Sequence, residues 1–398
     1  MRVLIAGIDG YLGWPLAQHL AARGHIVGGI DRFLRRAWVE EVGSISAVPI
    51  ADWVEREKAF SEHFDNRLIC GFGDMLDYAF LGTFVESFHP DAVIHLAEMP
   101  SAPYSMIDQA HSAFTQQNNV IGSLNLLWAL HTHCPEAHLV KLGTMGEYGT
   151  PDVDIPEGFF DVEFRGRRDR LPFPRQAGSY YHWSKVHDSN NTMFACSTWG
   201  LRATDVMQGV VYGTYTGRTN DDWRMSTRLD FDTCFGTIIN RFVCQVVLRH
   251  PLTVYGPGGQ KRGFIPLGDS LACLTLALES PPKAGEYRVF NQFEDTYRIS
   301  ELAGIVCEEA HALGIDSEII HYENPRVERA DHYYNPDHKH LFDLGYQPSG
   351  DIRKVISQMI EDVLPFTNRL APYRNNLVPE IRWDTEHRRS TPLSSAST

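Results

Sequence analysis

The stretch "GIDGYLG", residues 7–13, places three glycines between an apolar run, "RVLIA", and a segment whose apolar residues recur at helical spacing, "YLGWPLAQHLAARGH". A glycine-rich turn between a buried strand and a helix lets a phosphate approach backbone N–H groups and the positive end of the helix. We therefore predict a dinucleotide-binding turn with contacts from Gly7, Gly10, Tyr11 and Gly13. The alternative is a glycine turn that only packs the helix against the strand.

The next strand pattern, "IVGGID", ends at Asp31. In a dinucleotide-binding unit, a carboxylate at this place accepts hydrogen bonds from the adenosine ribose and repels a 2′-phosphate, so the sequence predicts NAD rather than NADP. Arg32, Arg35 and Arg36 follow, and they either close over the adenine or pyrophosphate, accept a 2′-phosphate, or are solvated. Asp74 either meets the adenine amine or caps a strand. Beyond the turn and Asp31, the predicted cofactor contacts are Arg32, Arg36, Asp74, Met75, Leu96 and Lys185.

Strand and helix patterns alternate from residue 2 to about residue 213, through "RLICGFGD", "MLDYAFLGTFVESF", "DAVIHLA", "HLVKLG" and "RATDVMQGVV". Such alternation is typical of a mostly parallel sheet covered on both faces. We predict an α/β fold in which residues 1–213 form a Rossmann-type, doubly wound NAD-binding domain. The alternation then breaks down, which indicates a smaller, mainly substrate-binding lobe over 214–383. The polar residues 384–398 predict a disordered tail.

The composition excludes several classes of partner. The chain has 398 residues and a formal net charge of -14, so no basic field is available for nucleic acid or an anionic membrane. Its seven cysteines show no zinc-ligand spacing, which predicts no metal site and free thiols in a reducing compartment. Neither a membrane span nor a signal peptide can be fitted, so we expect a cytoplasmic protein.

The stretch "GSYYHWSKVHD", residues 178–188, indicates the chemistry. On a helix, Tyr181 and Lys185 share a face at i and i+4, whereas Tyr180 is rotated away. A free phenol has a pKa of about 10, and a nearby lysine and an oxidised nicotinamide favour the phenolate, so Tyr181 is the predicted general base. Thr144, after "HLVKLG", supplies a hydroxyl for the oxygen that is oxidised. The alternative is a helical pair that only packs.

These residues resemble the extended short-chain dehydrogenase/reductases that act on nucleotide sugars. Within that family, the segments "SAPYSMID", "KLGTMGEYGTP", "YYHWSKVHDS" and "HPLTVYGPGGQKRG" are similar to the UDP-sulfoquinovose synthases, and matches spread over roughly residues 2–350. Dehydratases of the family carry an acid pair after the threonine, where this chain has Met145 and Gly146. The resemblance implies a homodimer and an NAD that stays bound and is recycled.

The resemblance also implies a reaction on a nucleotide sugar. Tyr181 takes the proton of the 4-hydroxyl as C4 is oxidised, a base removes the C5 proton as the 6-hydroxyl leaves, and sulfite adds at C6 before C4 is reduced again. His182 and Glu147 are the two candidates for the C5 base, and the alternatives are a polar neighbour and a strand-end cap. The positions that match sugar-nucleotide contacts are Gln208, Gln260, Arg262 and Arg326, of which the arginines suit phosphate unless they are simply solvated.

One departure from the family leaves the second substrate open. Plant UDP-sulfoquinovose synthases have Gln-Arg before "SAPYSM", and this chain has Met99 and Pro100. Sulfite as second substrate is therefore one interpretation, and a C4 epimerase of an activated hexose or longer sugar is the other. A third hypothesis is a non-catalytic NAD-binding scaffold, although such proteins usually lose the tyrosine or the lysine that this chain has.

Overall fold

The computed structural model describes residues 1–65, 68–214, 222–384 and 390–393. Its strands are β1 (Arg2–Ala6), β2 (Ile26–Asp31), β3 (Ile69–Phe72), β4 (Ala92–His95), β5 (His138–Thr144), β6 (Phe159–Phe164), β7 (Arg167–Pro172), β8 (Arg202–Gln208), β9 (Val210–Tyr212), β10 (Leu252–Tyr255), β11 (Lys261–Pro266), β12 (Tyr287–Gln292), β13 (Asp295–Arg298) and β14 (Ile319–Tyr322).

The α-helices are α1 (Gly13–Ala22), α2 (Leu34–Glu41), α3 (Trp53–His63), α4 (Tyr78–Phe88), α5 (Gln109–Gln116), α6 (Gly122–His133), α7 (Tyr180–Trp199), α8 (Ile238–Val247), α9 (Leu267–Glu279), α10 (Ile299–Ala312), α11 (Lys339–Asp343), α12 (Ile352–Val363) and α13 (Thr367–Leu370). A π-helical turn, Gln117–Ile121, joins α5 to α6. Short 3₁₀ turns are Tyr104–Met106, Met145–Glu147, Trp223–Met225, Leu364–Phe366 and Ala371–Leu377.

Seven strands form one parallel sheet in the order β3-β2-β1-β4-β5-β8-β12. From β1 the sheet grows in one direction through β2 and β3, and from β4 it grows in the opposite direction through β5, β8 and β12. In open α/β sheets, ligands bind at the carboxyl ends of the strands beside such a change of direction. The predicted Rossmann-type sheet is therefore confirmed.

The residues of β1 show why helices cover both faces of this sheet. Val3 and Ile5 pack with α1, α3 and α9 on one face, and Leu4 and Ala6 pack with α4, α6 and α7 on the other. All four side chains are fully buried. A strand buried on both faces has a continuous apolar sequence, which is the pattern of "VLIA".

The C-terminal part adds a second core and also completes the main sheet. Helices α8, α10 and α12 pack around β10, and the smaller sheets β13-β11-β9 and β10-β14 lie in this part. Strand β12, however, pairs with β8 in the main sheet. The predicted domain boundary at residue 213 thus does not coincide with the edge of the sheet.

The predicted tail is only partly described. Within it, Pro392 bridges Tyr322 of β14, and the backbone N–H of Leu393 donates to the carbonyl of His321 at 2.7 Å. Residues 390–393 therefore correct the prediction of a disordered tail, because they are held against β14. The remainder of the tail, apart from Asp384, lies outside the described residues.

Across the described ranges, no helix combines the length and the apolar character that a membrane crossing needs. In the same ranges, no group of three or more His, Cys, Asp or Glu side chains could hold a metal ion. All seven cysteines lie in this part of the chain and are free thiols.

Candidate active site

Two adjoining cavities lie at the carboxyl ends of the parallel strands. The first, of about 340 Å³, is lined by residues that follow β1, β2, β4, β5 and β8. The second, of about 240 Å³, is lined mainly by the segment after β4 and by the C-terminal part. The residues that line both are Pro100, Tyr181, Val210, Phe235 and Thr237. The two cavities therefore form one cleft, and Tyr181 lies where they meet.

The glycine turn allows the close approach of α1 to the sheet. Gly7 has a φ of 90°, and a Cβ atom there would lie 2.7 Å from the carbonyl carbon of Leu96. A Cβ at Gly13 would overlap the carbonyl oxygen of Gly7. Residues with side chains are thus excluded at both places. The turn packs α1 on the sheet and also lines the first cavity, so the packing role and the binding role coexist.

All but one of the predicted cofactor contacts line the first cavity. Asp31 accepts hydrogen bonds from the backbone N–H groups of Asp9 at 2.8 Å and Phe33 at 2.7 Å. Burial, followed by the nearby Asp9 carboxylate, raises the pKa of Asp31 to about 6. Arg32 forms an ion pair with Asp74, so its charge is compensated. This arrangement suits a ribose diol better than a 2′-phosphate. The contacts that line the cavity are Gly7, Gly10, Tyr11, Gly13, Asp31, Arg32, Asp74, Met75, Leu96 and Lys185.

Arg36 is the exception, because its side chain points to Asp9 rather than into the cavity. Its guanidinium makes two hydrogen bonds of 2.7 Å to that carboxylate, which the buried Arg56 also contacts at 2.7 Å. Arg35 lines the cavity instead and pairs with Asp230 at 2.7 Å. Arg36 therefore supports the glycine turn through Asp9, and of the three arginines that follow Asp31 it is Arg35, not among the predicted contacts, that lines the cavity with Arg32.

Helix α7 presents the reacting residues. Its first turn is capped by the Ser179 side chain, which accepts the backbone N–H of His182. Tyr181, Lys185 and Thr144 line the first cavity, whereas Tyr180 is 51% exposed. The helical spacing thus directs Tyr181 into the cleft and Tyr180 to the surface.

Lys185 has a carboxylate partner that the sequence analysis missed. Its ammonium donates to the Leu142 carbonyl at 2.6 Å and forms an ion pair with the buried Glu98, which also lines the first cavity. Although burial alone would raise the pKa of Glu98, the charges of Lys185 and His95 hold it below its usual value. A carboxylate directly after a buried strand, as in "AVIHLAE", is the sequence signal that could have identified it.

Glu98 opposes the effect that we expected from Lys185. Burial, followed by the charge of Glu98, raises the pKa of the Tyr181 phenol. Because Lys185 is shared with Glu98, less of its charge is available to favour the phenolate. Glu98 is therefore a positioning residue that holds Lys185, and its charge adds to the effect of burial on the pKa of Tyr181.

We expect Glu98→Gln to shift the pH profile of sugar oxidation to lower pH. Removing this negative charge lowers the pKa of Tyr181, so the acidic limb of kcat/KM moves to lower pH. The measurement is kcat/KM for C4 oxidation across pH, with Glu41→Gln as the control because Glu41 bonds Tyr104 away from both cavities. An acidic limb at the wild-type pH would show that Glu98 does not act on Tyr181.

Glu147 lines neither cavity, so the structure corrects its predicted catalytic role. It is fully buried, and its carboxylate accepts the Thr144 backbone N–H at 3.2 Å and the Ser189 hydroxyl at 3.0 Å. Arg175 lies 3.6 Å from one of its carboxylate oxygens, and Lys141 lies 4.0 Å from the other. Glu147 therefore holds Thr144 in place from behind the cleft.

His182 lines the second cavity beside Tyr181, and its ring centroid lies 4.9 Å from that of Tyr181. Its Nδ1 is 2.9 Å from the Ser179 hydroxyl. Burial, followed by the charges of Arg326 and Arg262, lowers the pKa of His182 to about 3, so the imidazole is neutral at pH 7. A Cβ atom at Gly146 would overlap its Cδ2 and Nε2 atoms. The imidazole thus lies directly against the position where dehydratases carry an acid.

Three of the four predicted sugar-nucleotide contacts line the second cavity. Arg262 donates to Glu328 at 2.6 Å, Arg326 lies 5.5 Å from the Trp383 ring centroid, and Gln260 donates to the Tyr255 carbonyl at 3.4 Å. The fourth, Gln208, lines the first cavity, where its amide donates to Gln292 at 2.9 Å.

Of the two residues that differ from the plant sequences, Met99 and Pro100, only Pro100 lines the cleft. Met99 is fully buried in a cluster with Trp38 and Tyr104, and its backbone N–H donates to Asn119 at 2.8 Å. Pro100 lines both cavities. The replacement at position 99 therefore removes no group from the cleft surface of this chain.

The model of the NAD dependent epimerase/dehydratase family matches residues 3–291. The chain belongs to that family. Two relatives align with this epimerase/dehydratase over most of its sequence. The UDP-sulfoquinovose synthase of Sulfolobus acidocaldarius is 46% identical over 384 residues, which cover 96% of this chain and 98% of that protein. The chloroplastic UDP-sulfoquinovose synthase of Spinacia oleracea is 44% identical over 382 residues, which cover 96% of this chain and 79% of that protein.

Solved structures show the same fold for this epimerase/dehydratase. The UDP-glucose 4-epimerase of Bifidobacterium longum in complex with NAD+ and UDP has a TM-score of 0.70 at 15% identity, covering 93% of this chain and 100% of that chain. The UDP-glucose 4-epimerase of Thermotoga maritima with UDP-glucose has a TM-score of 0.68 at 18% identity, covering 91% and 98%. The family match confirms both the family resemblance and the predicted cofactor, NAD. The chain is an NAD-dependent nucleotide-sugar enzyme.

The first cavity fits NAD. The glycine turn leaves room for the pyrophosphate at the start of α1, and Asp31 lies at the end of β2 where the ribose hydroxyls bind.

Proposed function

We propose that this epimerase/dehydratase converts UDP-glucose and sulfite to UDP-sulfoquinovose. The observation that carries the proposal is the pairing of two bases in one cleft: the phenol of Tyr181 and, adjoining it, the neutral imidazole of His182 against Gly146. Oxidation at C4 needs the first base, and removal of the C5 proton needs the second. The identity to UDP-sulfoquinovose synthases over nearly the whole chain supports the same reaction.

At C4, Tyr181 accepts the proton of the 4-hydroxyl, and the Thr144 hydroxyl orients the same oxygen. NAD held in the first cavity by the glycine turn and Asp31 would supply the hydride acceptor, and later the hydride donor, for C4. Lys185, held by Leu142 and Glu98, places a positive charge next to the oxygen that becomes a carbonyl.

At C5, the 4-ketone acidifies the hydrogen, and His182 removes it through Nε2 in the tautomer whose Nδ1–H donates to the Ser179 hydroxyl. The protonated His182 passes this proton to the C6 hydroxyl, which leaves as water. The sulfur of bisulfite then bonds to C6 of the unsaturated ketone, and the bisulfite proton reaches C5 through His182. The sum is replacement of the 6-hydroxyl by a sulfonate with release of one water.

Mass spectrometry tests the function. Purified protein is incubated with UDP-glucose in heavy water, with and without sulfite. A sulfite-dependent product that carries a sulfonate and one deuterium at C5 is expected. An isomer of unchanged composition formed without sulfite would replace the proposal with a C4 epimerase, and loss of both products would mean that UDP-glucose is not the substrate.

We also propose that two copies of the chain pair through α6 and α7. Large apolar side chains on these helices and the turn before them are exposed, namely Ile121, Trp128, Tyr180, Trp183 and Phe194. Exposed apolar patches of this kind mark interfaces, and a twofold dimer buries the same patch on both copies. Free thiols throughout the described chain support a cytoplasmic location.

We expect Phe194→Asp to convert the dimer to a monomer, because each copy would place a charge in the apolar interface. Analytical ultracentrifugation measures the change. Phe164→Asp is the matched control, since Phe164 is 68% exposed on β6, away from these helices. A dimer that persists in the Phe194 variant would place the interface elsewhere.

A further inference from the structure

Arg241 is a buried cation in an apolar helix. It lies in α8, "IINRFVCQVV", with 4% of its surface exposed, and it lines the second cavity. Its guanidinium lies 4.9 Å from the ring centroid of Tyr255, a residue of the same cavity.

The guanidinium has unused donors. Its Nε and Nη2 atoms are buried and have no hydrogen-bond partner among the described residues. The nearby Asp232 directs one carboxylate oxygen to the backbone N–H groups of Cys234 and Phe235, at 2.8 Å and 2.7 Å. Burying an uncompensated charge is costly, so a buried guanidinium with free donors indicates an anionic ligand.

Arg262, another arginine of this cavity, differs from Arg241 because its guanidinium has hydrogen-bond partners. Arg262 already donates to Glu328 at 2.6 Å and to the His332 ring at 2.9 Å. Together, three arginines and one carboxylate, Glu328, line this cavity, which is an excess of two positive charges among the lining residues. A nucleotide-sugar diphosphate carries two negative charges, which match them.

Arg241 lines the same cavity as the reacting-end residues Tyr181 and His182. Burial, followed by Arg326 and Arg262, lowers the pKa of His182. Burial also lowers the pKa of Arg241, on which Tyr255, Arg326 and Asp232 act. Arg326 acts on both groups, and all three side chains line the second cavity.

We propose that Arg241 holds the diphosphate of the substrate with its free Nε and Nη2 donors. This inference rests on the proposed function only in that the substrate is a nucleotide diphosphate sugar. A guanidinium fork can bind two phosphate oxygens at once. In the absence of nucleotide its charge destabilises the fold, and ligand binding relieves that cost.

The test uses Arg241→Met in the NAD-loaded protein. We expect about 10- to 100-fold weaker binding of UDP by calorimetry, an unchanged affinity for uridine, and a melting temperature of the nucleotide-free protein that rises by about 2 °C or more. Arg241→Lys, which keeps the charge but not the fork, is expected to bind UDP with intermediate affinity. Arg228→Met is the stability control, because Arg228 is fully buried but paired with Asp230 at 3.1 Å, and its loss lowers the melting temperature.

Three results would overturn the proposal: equal losses of UDP and uridine affinity, unchanged UDP affinity with an altered response to sulfite, or a lower melting temperature with unchanged UDP affinity. The affinities of the wild type and the Arg241 variants are also compared with inorganic pyrophosphate as the ligand. Because pyrophosphate carries no base, the result does not depend on which nucleotide the enzyme prefers. If UDP-glucose and sulfite give no product while pyrophosphate binding still depends on Arg241, the proposed function fails and this inference stands.

Discussion

Replacing Tyr181 with phenylalanine is expected to lower the rate of C4 oxidation by about 10³-fold or more. The variant keeps the ring, whose packing in the cleft is unchanged, and removes the oxygen that accepts the 4-hydroxyl proton. General bases contribute about 10²- to 10⁴-fold, and Thr144 cannot replace the phenol because its hydroxyl has no comparable basicity. The measurement is the rate of solvent deuterium incorporation at C5, which requires the 4-ketone.

Tyr180→Phe is the matched control for this prediction. It removes the same atom from the neighbouring residue, which is 51% exposed, and should leave the rate unchanged. Equal turnover of the two variants would contradict the mechanism and revive the hypothesis of a non-catalytic scaffold.

Gly146→Ala is expected to abolish C5 proton removal, with a loss of about 10²- to 10⁴-fold. The added methyl group would overlap the Cδ2 and Nε2 atoms of His182, so the imidazole must leave its place against the 3₁₀ turn. The same deuterium assay reports the loss. C4 oxidation should persist, because Tyr181 and Thr144 are held by other contacts.

A double-variant cycle separates this effect from general damage. In an His182→Ala background the clash is absent, so Gly146→Ala should cause no further loss. Gly268→Ala is the control glycine, since a Cβ there meets no atom within 4 Å. Additive losses at positions 146 and 182 would show that the two residues act independently.

The sequence predicted the parts of the site that depend on local spacing. Gly7 and Gly13 are required by a turn whose shape a short segment determines, and Tyr181 and Lys185 share a face because a helix repeats every 3.6 residues. Asp31 follows from the strand that it ends. These predictions need only the order of elements along the chain.

The parts that depend on long-range packing were missed or misassigned. Phe33, at the start of α2, has a left-handed conformation with a φ of 61°. This conformation sets the direction of α2 and thereby which arginine enters the cavity. Glu147 lies behind Thr144 because it accepts a hydrogen bond from Ser189 and pairs with Arg175, which both come from distant segments of the chain. Arg241 and Glu98 are single charged residues in apolar segments of the sequence. This pattern indicates a buried charge, but it does not predict which group binds that charge.

The place of β12 at the edge of the main sheet bears on how the chain folds during its synthesis. Strand β8 is an interior strand only after β12 pairs with it, and β12 ends at Gln292. A nascent chain that has reached only the end of β8 exposes an unpaired strand edge next to the catalytic helix, and such edges favour aggregation. The sheet of the NAD-binding half is therefore completed only after the substrate-binding part has been made as far as Gln292, so the two halves are acquired as one folding unit.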